Sequence, residues 1–262
     1  GNMPVDEKIE QLANAIARSV HIDHVVKLAN MAKMPAAAPH KPSIDREVAP
    51  DIKIAIARDR AFGFYYQDDL DAFAAAGATL VPFNALQSPR LPDADGLFIG
   101  GGFPEAWLQA LSNNRSLLED IRTALQQGMP ASAECGGLMY LTRSIRWRGE
   151  QAPMVGFIPA DTVVGERPKG RGYMLLEETG HHPWPAAGIP HEIRPDGTPV
   201  HEFHHAYLEN LPSDSVFSAK VLRGTGIDGD SDGLVINNLV AGFTHQRQTI
   251  ANPWVDRFVS FV

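Results

Sequence analysis

The sequence of 262 residues lacks the features that mark several large functional classes. Its single cysteine excludes a disulfide within the chain, as is usual for proteins of the reducing cytoplasm, where we expect this one. Its 23 basic residues are outnumbered by 31 acidic ones, and a net charge of −8 argues against nucleic acid and anionic membrane as partners. No apolar run approaches the roughly 18 residues of a membrane span, and no signal-peptide pattern is seen.

A second absence concerns nucleotide binding. The sequence contains no G-x-x-x-x-G-K-[ST] loop, and no G-x-G-x-x-G opens a helix after the first predicted strand. Those two patterns place backbone N–H groups around the phosphates of ATP and of dinucleotides. We therefore predict no cofactor in this chain, and any ATP-dependent step would take place in another domain.

From residue 47 onward, the order of the predicted elements indicates an α/β domain. Short apolar runs alternate with segments of helical periodicity, which is typical of parallel strands joined by helices. The first four predicted strands are Asp51–Ala57, Thr79–Phe83, Gly96–Gly100 and Ala131–Ala133. We predict an open, mostly parallel sheet with helices on both faces, of the flavodoxin-like type. Shorter strands follow, including Val155–Ile158, and a helix over Pro253–Val262 closes the chain.

Residues 1–46 are predicted to lie outside this domain, as a helical appendage followed by a linker. Apolar residues recur at helical spacing, and we expect one helix over Lys8–Lys33. The proline- and alanine-rich segment Met34–Ser43 has no periodicity and is typical of a linker. Residues 47–262 then form the second domain.

The single cysteine, Cys135, lies in the most informative stretch of the chain, Pro130–Tyr140. The run ending at Ala133 predicts a buried strand, and the residues from Leu138 onward predict a helix. A nucleophile on a sharp turn between strand and helix is the nucleophile-elbow arrangement, here with sulfur. The helix N-terminus favours the thiolate, and Gly136 offers a backbone N–H to a developing oxyanion. The alternative is a buried structural cysteine.

A run of three glycines, Gly100–Gly102, follows the third predicted strand. The carboxyl ends of parallel strands meet at one edge of the sheet, where ligands of such folds bind, so this run is expected beside Cys135. Glycines allow the backbone to approach a ligand and to present N–H groups to it. We predict that the two loops form a two-donor oxyanion hole. The alternative is a tight turn without a binding role.

Several stretches, in this order along the chain, resemble one known family. They are Ala57–Tyr66, Leu91–Glu105, Ala133–Tyr140, His201–His204 and Asn238–His245. Together they resemble the C-terminal glutaminase domain of the cobyrinic acid a,c-diamide synthase family, a class I-like glutamine amidotransferase. The resemblance covers nearly everything from Ile52 to Val262.

The resemblance implies a function and a set of site residues. Cys135 matches the family's nucleophile and His245 its activating histidine, and oxyanion or substrate contacts fall to Gly101, Gly102 and Gly136. Glutamine would be hydrolysed through a γ-glutamyl thioester. The ammonia would amidate carboxylates of a tetrapyrrole acceptor, as in cobalamin biosynthesis. The implied partner is an ATP-binding synthetase domain, which would carry ATP and Mg in the same full-length chain or in a separate subunit. The N-terminal appendage would be its connecting tail.

The sequence departs from more typical class I amidotransferases just after the histidine. Those enzymes carry His-x-Glu, whereas His245-Gln246-Arg247 offers no carboxylate at that spacing. The histidine would therefore act in a dyad or be oriented by a group from elsewhere. Three alternatives stay open: a siroheme-amidating relative, a non-catalytic docking domain with the same fold, and a Cys–His amidase that acts on another amide.

The segment His201–His205 satisfies the zinc-binding pattern H-E-x-x-H, which requires a helix. Here it follows a turn signal and is predicted to be a strand, which would separate the two histidines by about 13 Å. We therefore predict no metal site. Strand alternation groups Glu202 with His204 on one face, and these two residues are secondary site candidates.

Overall fold

The computed structural model describes residues 5–32, 52–184, 186, 188–189 and 195–262. Contacts divide the chain into two units between residues 45 and 46. The described part of the first unit contains helices α1 (Val5–Ser19) and α2 (Ile22–Met31). None of the described helices is both long and apolar enough to cross a membrane.

The single helix expected over Lys8–Lys33 is wrong, because the chain leaves the helical conformation between α1 and α2. Ser19 and Val20 are weaker helix formers than the residues before them, and Asp23 lies in the first turn of α2, where a negative charge stabilises a new helix start. The predicted linker Met34–Ser43 lies outside the described residues.

The second unit contains the strands and helices that position the site. Its strands are β1 (Ile52–Ala57), β2 (Phe62–Phe64), β3 (Ala78–Phe83), β4 (Gly96–Ile99), β5 (Gly101–Gly102), β6 (Ala131–Glu134), β7 (Thr142–Trp147), β8 (Glu150–Pro153), β9 (Ile158–Val164), β10 (Gly170–Glu178), β11 (Thr198–His204), β12 (Ala206–Glu209), β13 (Val216–Arg223), β14 (Ser231–Ile236), β15 (Leu239–Gly242) and β16 (Thr244–His245). Its helices are α3 (Gln67–Ala75), α4 (Leu108–Asn113), α5 (Arg115–Gln126), α6 (Gly136–Leu141), α7 (Trp254–Phe261) and a 3-10 helix over Pro104–Trp107.

Ten strands form the main sheet in the order β16-β11-β10-β13-β14-β15-β6-β4-β1-β3. The five strands from β15 to β3 are parallel to their neighbours, and the remaining pairings, from β15 to β16, are antiparallel. Two smaller sheets have the orders β12-β9-β7-β8 and β2-β5. The predicted α/β fold is confirmed, with the parallel strands in the half of the sheet that carries the cysteine turn.

Helices cover both faces of the parallel strands, as side-chain alternation along β1 illustrates. Ala55 and Ala57 pack in a core with residues of α4, α5 and α6. Ile54 and Ile56 point to the opposite face and pack in a second core with residues of α3 and α7. Because both faces are buried, the open positions for a ligand are the loops at the carboxyl ends of the strands.

The strand expected over Val155–Ile158 is wrong, since β9 begins only at Ile158. The backbone N–H groups of Val155 and Phe157 donate to carbonyl oxygens of Tyr140 and Leu141, at the end of α6, at 3.1 and 3.0 Å. Gly156 between them has a φ of 70°, which a regular strand does not allow. The apolar residues are therefore buried in a connection rather than in a strand ladder.

Asp69 of α3 is a buried carboxylate, 2% exposed. It accepts hydrogen bonds from the backbone N–H of Gln248 at 2.6 Å and the indole N–H of Trp254 at 3.3 Å. Burial raises its pKa to about 7, more than the hydrogen bond from Gln248 lowers it. Because the folded state holds this proton more tightly than the unfolded state, the associated stability is present at acidic pH and is lost as the pH rises towards 7.

We expect Asp69→Asn to remove this pH dependence, since the amide oxygen keeps both hydrogen bonds without becoming charged. Between pH 4 and pH 8, the wild type should lose up to about 4 kcal/mol of unfolding free energy relative to the variant. Urea denaturation at both pH values measures the difference. If the unfolding free energy changed equally between pH 4 and pH 8 in the two proteins, the assigned pKa would be contradicted.

Candidate active site

Cys135 lies on a strained turn at the carboxyl end of β6. Its φ of 48° and ψ of −101° fall where residues with a side chain are rarely found, and α6 begins at the next residue. Its backbone N–H donates to the carbonyl oxygen of Gly242 at 2.7 Å, which ties the turn to the neighbouring strand β15. The residue is 7% exposed, and Sγ lies 3.8 Å from the carbonyl oxygen of Phe203. A cysteine at the tip of such a turn has the local geometry of a nucleophile elbow.

His245 comes from the far end of the sheet, where β16 pairs with β11 and His245 lies opposite His201. Asp232, fully buried, accepts hydrogen bonds from the N–H groups of Phe243 and Thr244 at 3.0 and 3.1 Å. It also accepts one from the hydroxyl of Thr244 at 2.6 Å. These three bonds fix the backbone immediately before the imidazole, so the histidine is held by the β14–β15 region and not by its own short strand alone.

Glu134 provides a carboxylate at the imidazole that the sequence interpretation missed. Its Oε2 lies 3.8 Å from Nδ1 of His245, an ion-pair distance longer than a hydrogen bond, and the two side chains are 6% and 5% exposed. Its Oε1 accepts a hydrogen bond from the backbone N–H of Gln246 at 2.9 Å. The carboxylate therefore precedes the cysteine in sequence, instead of following the histidine.

The surroundings of His245 favour the charged imidazolium. Burial lowers the pKa of His245. Its interactions with the Cys135 thiol and the Glu134 carboxylate raise the pKa by more than burial lowers it, to about 10. The ring also packs edge-on against Phe64, with centroids 4.7 Å apart, which restricts its rotation. A sulfur next to an imidazole that stays protonated at neutral pH is the arrangement in which a cysteine reacts as thiolate.

The predicted glycine sites meet the cysteine turn and the histidine. A Cβ built on Gly136 would come within 2.9 Å of the backbone N of Gly102, so the two loops are in direct contact. Gly102 itself packs so closely on the carbonyl of Ala61 that no side chain fits there. Gly136 is the first residue of α6, where N–H groups have no acceptor within the helix. Cys135, His245, Gly101, Gly102 and Gly136 therefore converge at one edge of the sheet.

We expect Gly101→Ala to lower kcat/KM for the site's reaction at least about tenfold, because the added Cβ would lie 2.5 Å from Cε1 of His245. The imidazole ring of His245 must then move away, and proton transfer depends on the position of this ring to within less than an ångström. Gly180→Ala is the matched control, since a Cβ there meets nothing within 4 Å. Equal activity of both variants would mean that the ring position is not critical.

The secondary candidates Glu202 and His204 form a buried pair, and His204 also lines the cavity that contains Cys135. Glu202 accepts hydrogen bonds from the N–H groups of Thr225 and Gly226 at 2.9 and 3.0 Å, and lies 3.4 Å from Nε2 of His204. Burial raises the pKa of Glu202, but the hydrogen bonds from His204, Gly226 and Thr225 lower it below the usual value. The imidazole of His204 stacks on Phe243 at 4.0 Å. This network fastens β11 to the turn at Thr225.

The predicted strand over the H-E-x-x-H segment is confirmed for His201–His204, which belong to β11, whereas His205 lies in the bend between β11 and β12. Glu202 and His204 are buried on one face of the strand, as alternation requires. On the other face Phe203 is exposed, whereas His201 is half-buried, with its ring centroid 6.0 Å from that of His245. Among the described residues, no group of three or more metal-ligating side chains is found.

Comparison with known proteins gives one family. Residues 53–249 match the CobB/CobQ-like glutamine amidotransferase domain. The chain is 36% identical over 272 residues to the cobyrinate a,c-diamide synthase of Magnetococcus marinus, covering 100% of this chain and 56% of that protein. It is 35% identical over 241 residues to the cobyrinate a,c-diamide synthase of Archaeoglobus fulgidus, covering 92% of this chain and 50% of that protein. The chain thus spans about half the length of the curated relatives it matches.

Solved structures with the same fold are much more distant in sequence. The structure of PurLQS from Thermotoga maritima has a TM-score of 0.58 at 12% identity and covers 80% of this chain and 97% of that chain. A structure described as a glutamine amidotransferase has a TM-score of 0.52 at 14% identity, with 79% and 97% covered. These matches concern the fold, which agrees with the predicted amidotransferase-type α/β architecture.

Proposed function

Because this chain belongs to the CobB/CobQ-like glutamine amidotransferase domain family, we propose that it hydrolyses glutamine at Cys135 and His245 and supplies the ammonia for amidation of tetrapyrrole carboxylates. The observation that carries the proposal is the thiol on a strained turn beside a buried imidazole, whose Nδ1 lies 3.8 Å from a carboxylate oxygen. The ATP-dependent step belongs to a synthetase domain, in the same full-length chain or in a separate subunit, since the curated relatives are about twice as long.

The chemistry begins with the pair formed by the Cys135 thiolate and the His245 imidazolium. The sulfur attacks the carboxamide carbon of glutamine, and the C=O electrons move onto oxygen. Backbone N–H groups of Gly102 and Gly136 are the proposed donors to this oxyanion. His245 gives its proton to the nitrogen, the C–N bond breaks, and ammonia leaves a γ-glutamyl thioester. Water, deprotonated by His245, then attacks the thioester and releases glutamate.

Glu134 is proposed as a positioning residue, because its carboxylate lies 3.8 Å from the imidazole of His245 and accepts a hydrogen bond from the next residue. Its carboxylate stabilises the imidazolium that must persist until the amine departs, which is the part that the acidic member plays in other triads. The His-x-Glu spacing is therefore not required for a carboxylate to reach the histidine. This favours hydrolysis over the alternative of a docking domain that only retains the fold.

The direct test is release of glutamate from glutamine, combined with labelling by a diazo-ketone analogue of glutamine that alkylates the attacking sulfur. We expect stoichiometric inactivation and one adduct, located on Cys135 by peptide mass spectrometry. Excess glutamine should protect the site. An inactive chain that also fails to react with the analogue would overturn the proposal.

The acceptor is tested separately with the longer protein that includes the synthetase portion. In the presence of ATP, Mg and glutamine labelled with nitrogen-15 in its amide, we expect the label in new amides of cobyrinate. Transfer to siroheme instead would select the alternative acceptor. Transfer to neither would reject the tetrapyrrole assignment while leaving glutamine hydrolysis intact.

A further inference from the structure

A second carboxylate, Glu105, lies close to the nucleophile and has no role in the chemistry described so far. It belongs to the 3-10 helix Pro104–Trp107, directly after the glycine loop, so its position is coupled to that of Gly102. Its Oε2 is buried without a hydrogen-bond partner, and among the described residues it is the only carboxylate oxygen in that situation. A buried acceptor left unsatisfied costs about 1–3 kcal/mol, and more when it is charged.

Glu105 lies in the wall of a small cavity next to the nucleophile. Glu105 and Cys135 line the same small cavity. Its other walls include apolar side chains and two histidines, namely Phe103, Met139, Phe203, His204 and His205. Burial raises the pKa of Glu105, more than the hydrogen bond from its own backbone N–H and the electrostatic interaction with His205 lower it. No described residue, His205 included, donates a hydrogen bond to Oε2 of Glu105. The missing partner is therefore expected to enter with the substrate.

We propose that Glu105 binds the α-ammonium group of the amino-acid substrate, and so restricts the site to amides that carry a free α-amino group. The inference rests on the proposed hydrolysis of glutamine and adds a specificity-determining residue to it. Glutamine carries its reacting carboxamide at one end and a positively charged amino group at the other. With the carboxamide at Cys135 and its oxygen at the glycine loop, the other end reaches the part of the cavity that Glu105 lines.

The test compares two substrates that differ only in this amino group. Glutaramate is glutamine without its α-amino group, and it retains the carboxamide and the carboxylate. In Glu105→Gln, we expect kcat/KM for glutamine to fall about 30-fold or more, because the ammonium loses a buried charged partner. For glutaramate, kcat/KM should change less than about threefold, so the preference of the wild type for glutamine collapses.

Two controls separate this role from a structural one. Glu119→Gln makes the same substitution on the exposed surface of α5 and should leave both substrates unaffected. Alkylation of Cys135 by iodoacetamide, which has no amino group, should proceed at the same rate in Glu105→Gln as in the wild type. If Glu105→Gln does not fold, Glu105→Asp is the second variant, because it keeps the charge on a shorter side chain. Its kcat/KM should still fall for glutamine and not for glutaramate.

The outcomes also distinguish this inference from the function on which it rests. A wild-type chain that hydrolyses neither substrate overturns the proposed function. The assignment of Glu105 alone is overturned if the wild type hydrolyses glutamine but Glu105→Gln loses activity towards glutamine and glutaramate equally. It is also overturned if the variant loses activity towards neither substrate. A loss of kcat/KM for glutamine but not for glutaramate supports both the proposed function and the assignment of Glu105.

Discussion

Cys135→Ala is expected to lower kcat for glutamine hydrolysis by at least about 10⁴-fold, because no other described side chain at this edge of the sheet can form the thioester. Binding of glutamine should persist, since the methyl group fits within the space of the thiol. Release of glutamate measures the first effect, and calorimetric titration with glutamine measures the second. Undiminished glutamate release would exclude the cysteine as nucleophile.

The same variant should also change the titration of His245. The thiol is a principal cause of the raised pKa, so without it the pKa should fall below about 10 towards the ordinary histidine range, with burial acting in the same direction. In the wild type the imidazole stays protonated up to about pH 10, and in the variant it loses its proton at lower pH. Nuclear magnetic resonance of the imidazole protons detects the difference.

Cys135→Ser, of similar shape, should be nearly as inactive as Cys135→Ala, because a hydroxyl is far less acidic than a thiol.

The parallel half of the fold was predictable because its signals are local. The run Asp51–Ala57 and the cysteine stretch each carry their own strand and turn residues, and strand β1 and the turn at Cys135 are found where expected. Their common edge then follows from the rule that parallel strands end on the same side. The convergence of Gly102 and Gly136 therefore follows from the sequence alone.

The antiparallel half depends on pairings between distant segments, which local patterns do not specify. His245 lies opposite His201 only because β16 joins the outer edge of β11. The sequence indicated the histidine through family resemblance, not through periodicity or spacing. The segment Val155–Ile158 was mistaken for a strand for a related reason, because its burial comes from contacts with the end of α6.

Glu134 does not follow from the sequence pattern, because other class I amidotransferases carry the acidic residue two positions after the histidine, whereas Glu134 directly precedes the cysteine. One local signal was present, since Glu134 is a charged residue at the end of a short strand whose other members, from Ala131, are small and buried. Charged groups in buried strands are rare without a partner, and they occur often at functional sites. The partner could not be named from the sequence, because it lies more than a hundred residues further along the chain.

Glu134→Gln is the most informative change at this position. The glutamine oxygen can still accept the hydrogen bond from the backbone N–H of Gln246, so the turn keeps its tie to the segment that follows His245. What is lost is the negative charge 3.8 Å from Nδ1 of His245. We expect the pKa of His245 to fall by about 1 to 3 units, the usual effect of an opposite charge at this distance.

The consequence for activity follows from the sign of this shift. His245 must be protonated to release ammonia, so we expect the alkaline limb of the kcat/KM profile near pH 10 in the wild type and at lower pH in Glu134→Gln. We also expect kcat at neutral pH to fall at least about tenfold. The loss should be smaller than for a triad acid that is hydrogen-bonded to its histidine, because 3.8 Å is an ion-pair distance.

Glu202→Gln provides the matched control for a purely structural effect. Glu202 is equally buried, but its carboxylate binds the turn at Thr225 and does not contact His245. Its replacement should lower the unfolding midpoint without moving the alkaline limb, whereas Glu134→Gln should move the limb even where stability is retained. If both variants left the limb near pH 10, the histidine would not depend on Glu134, and the site would operate as a Cys135–His245 dyad.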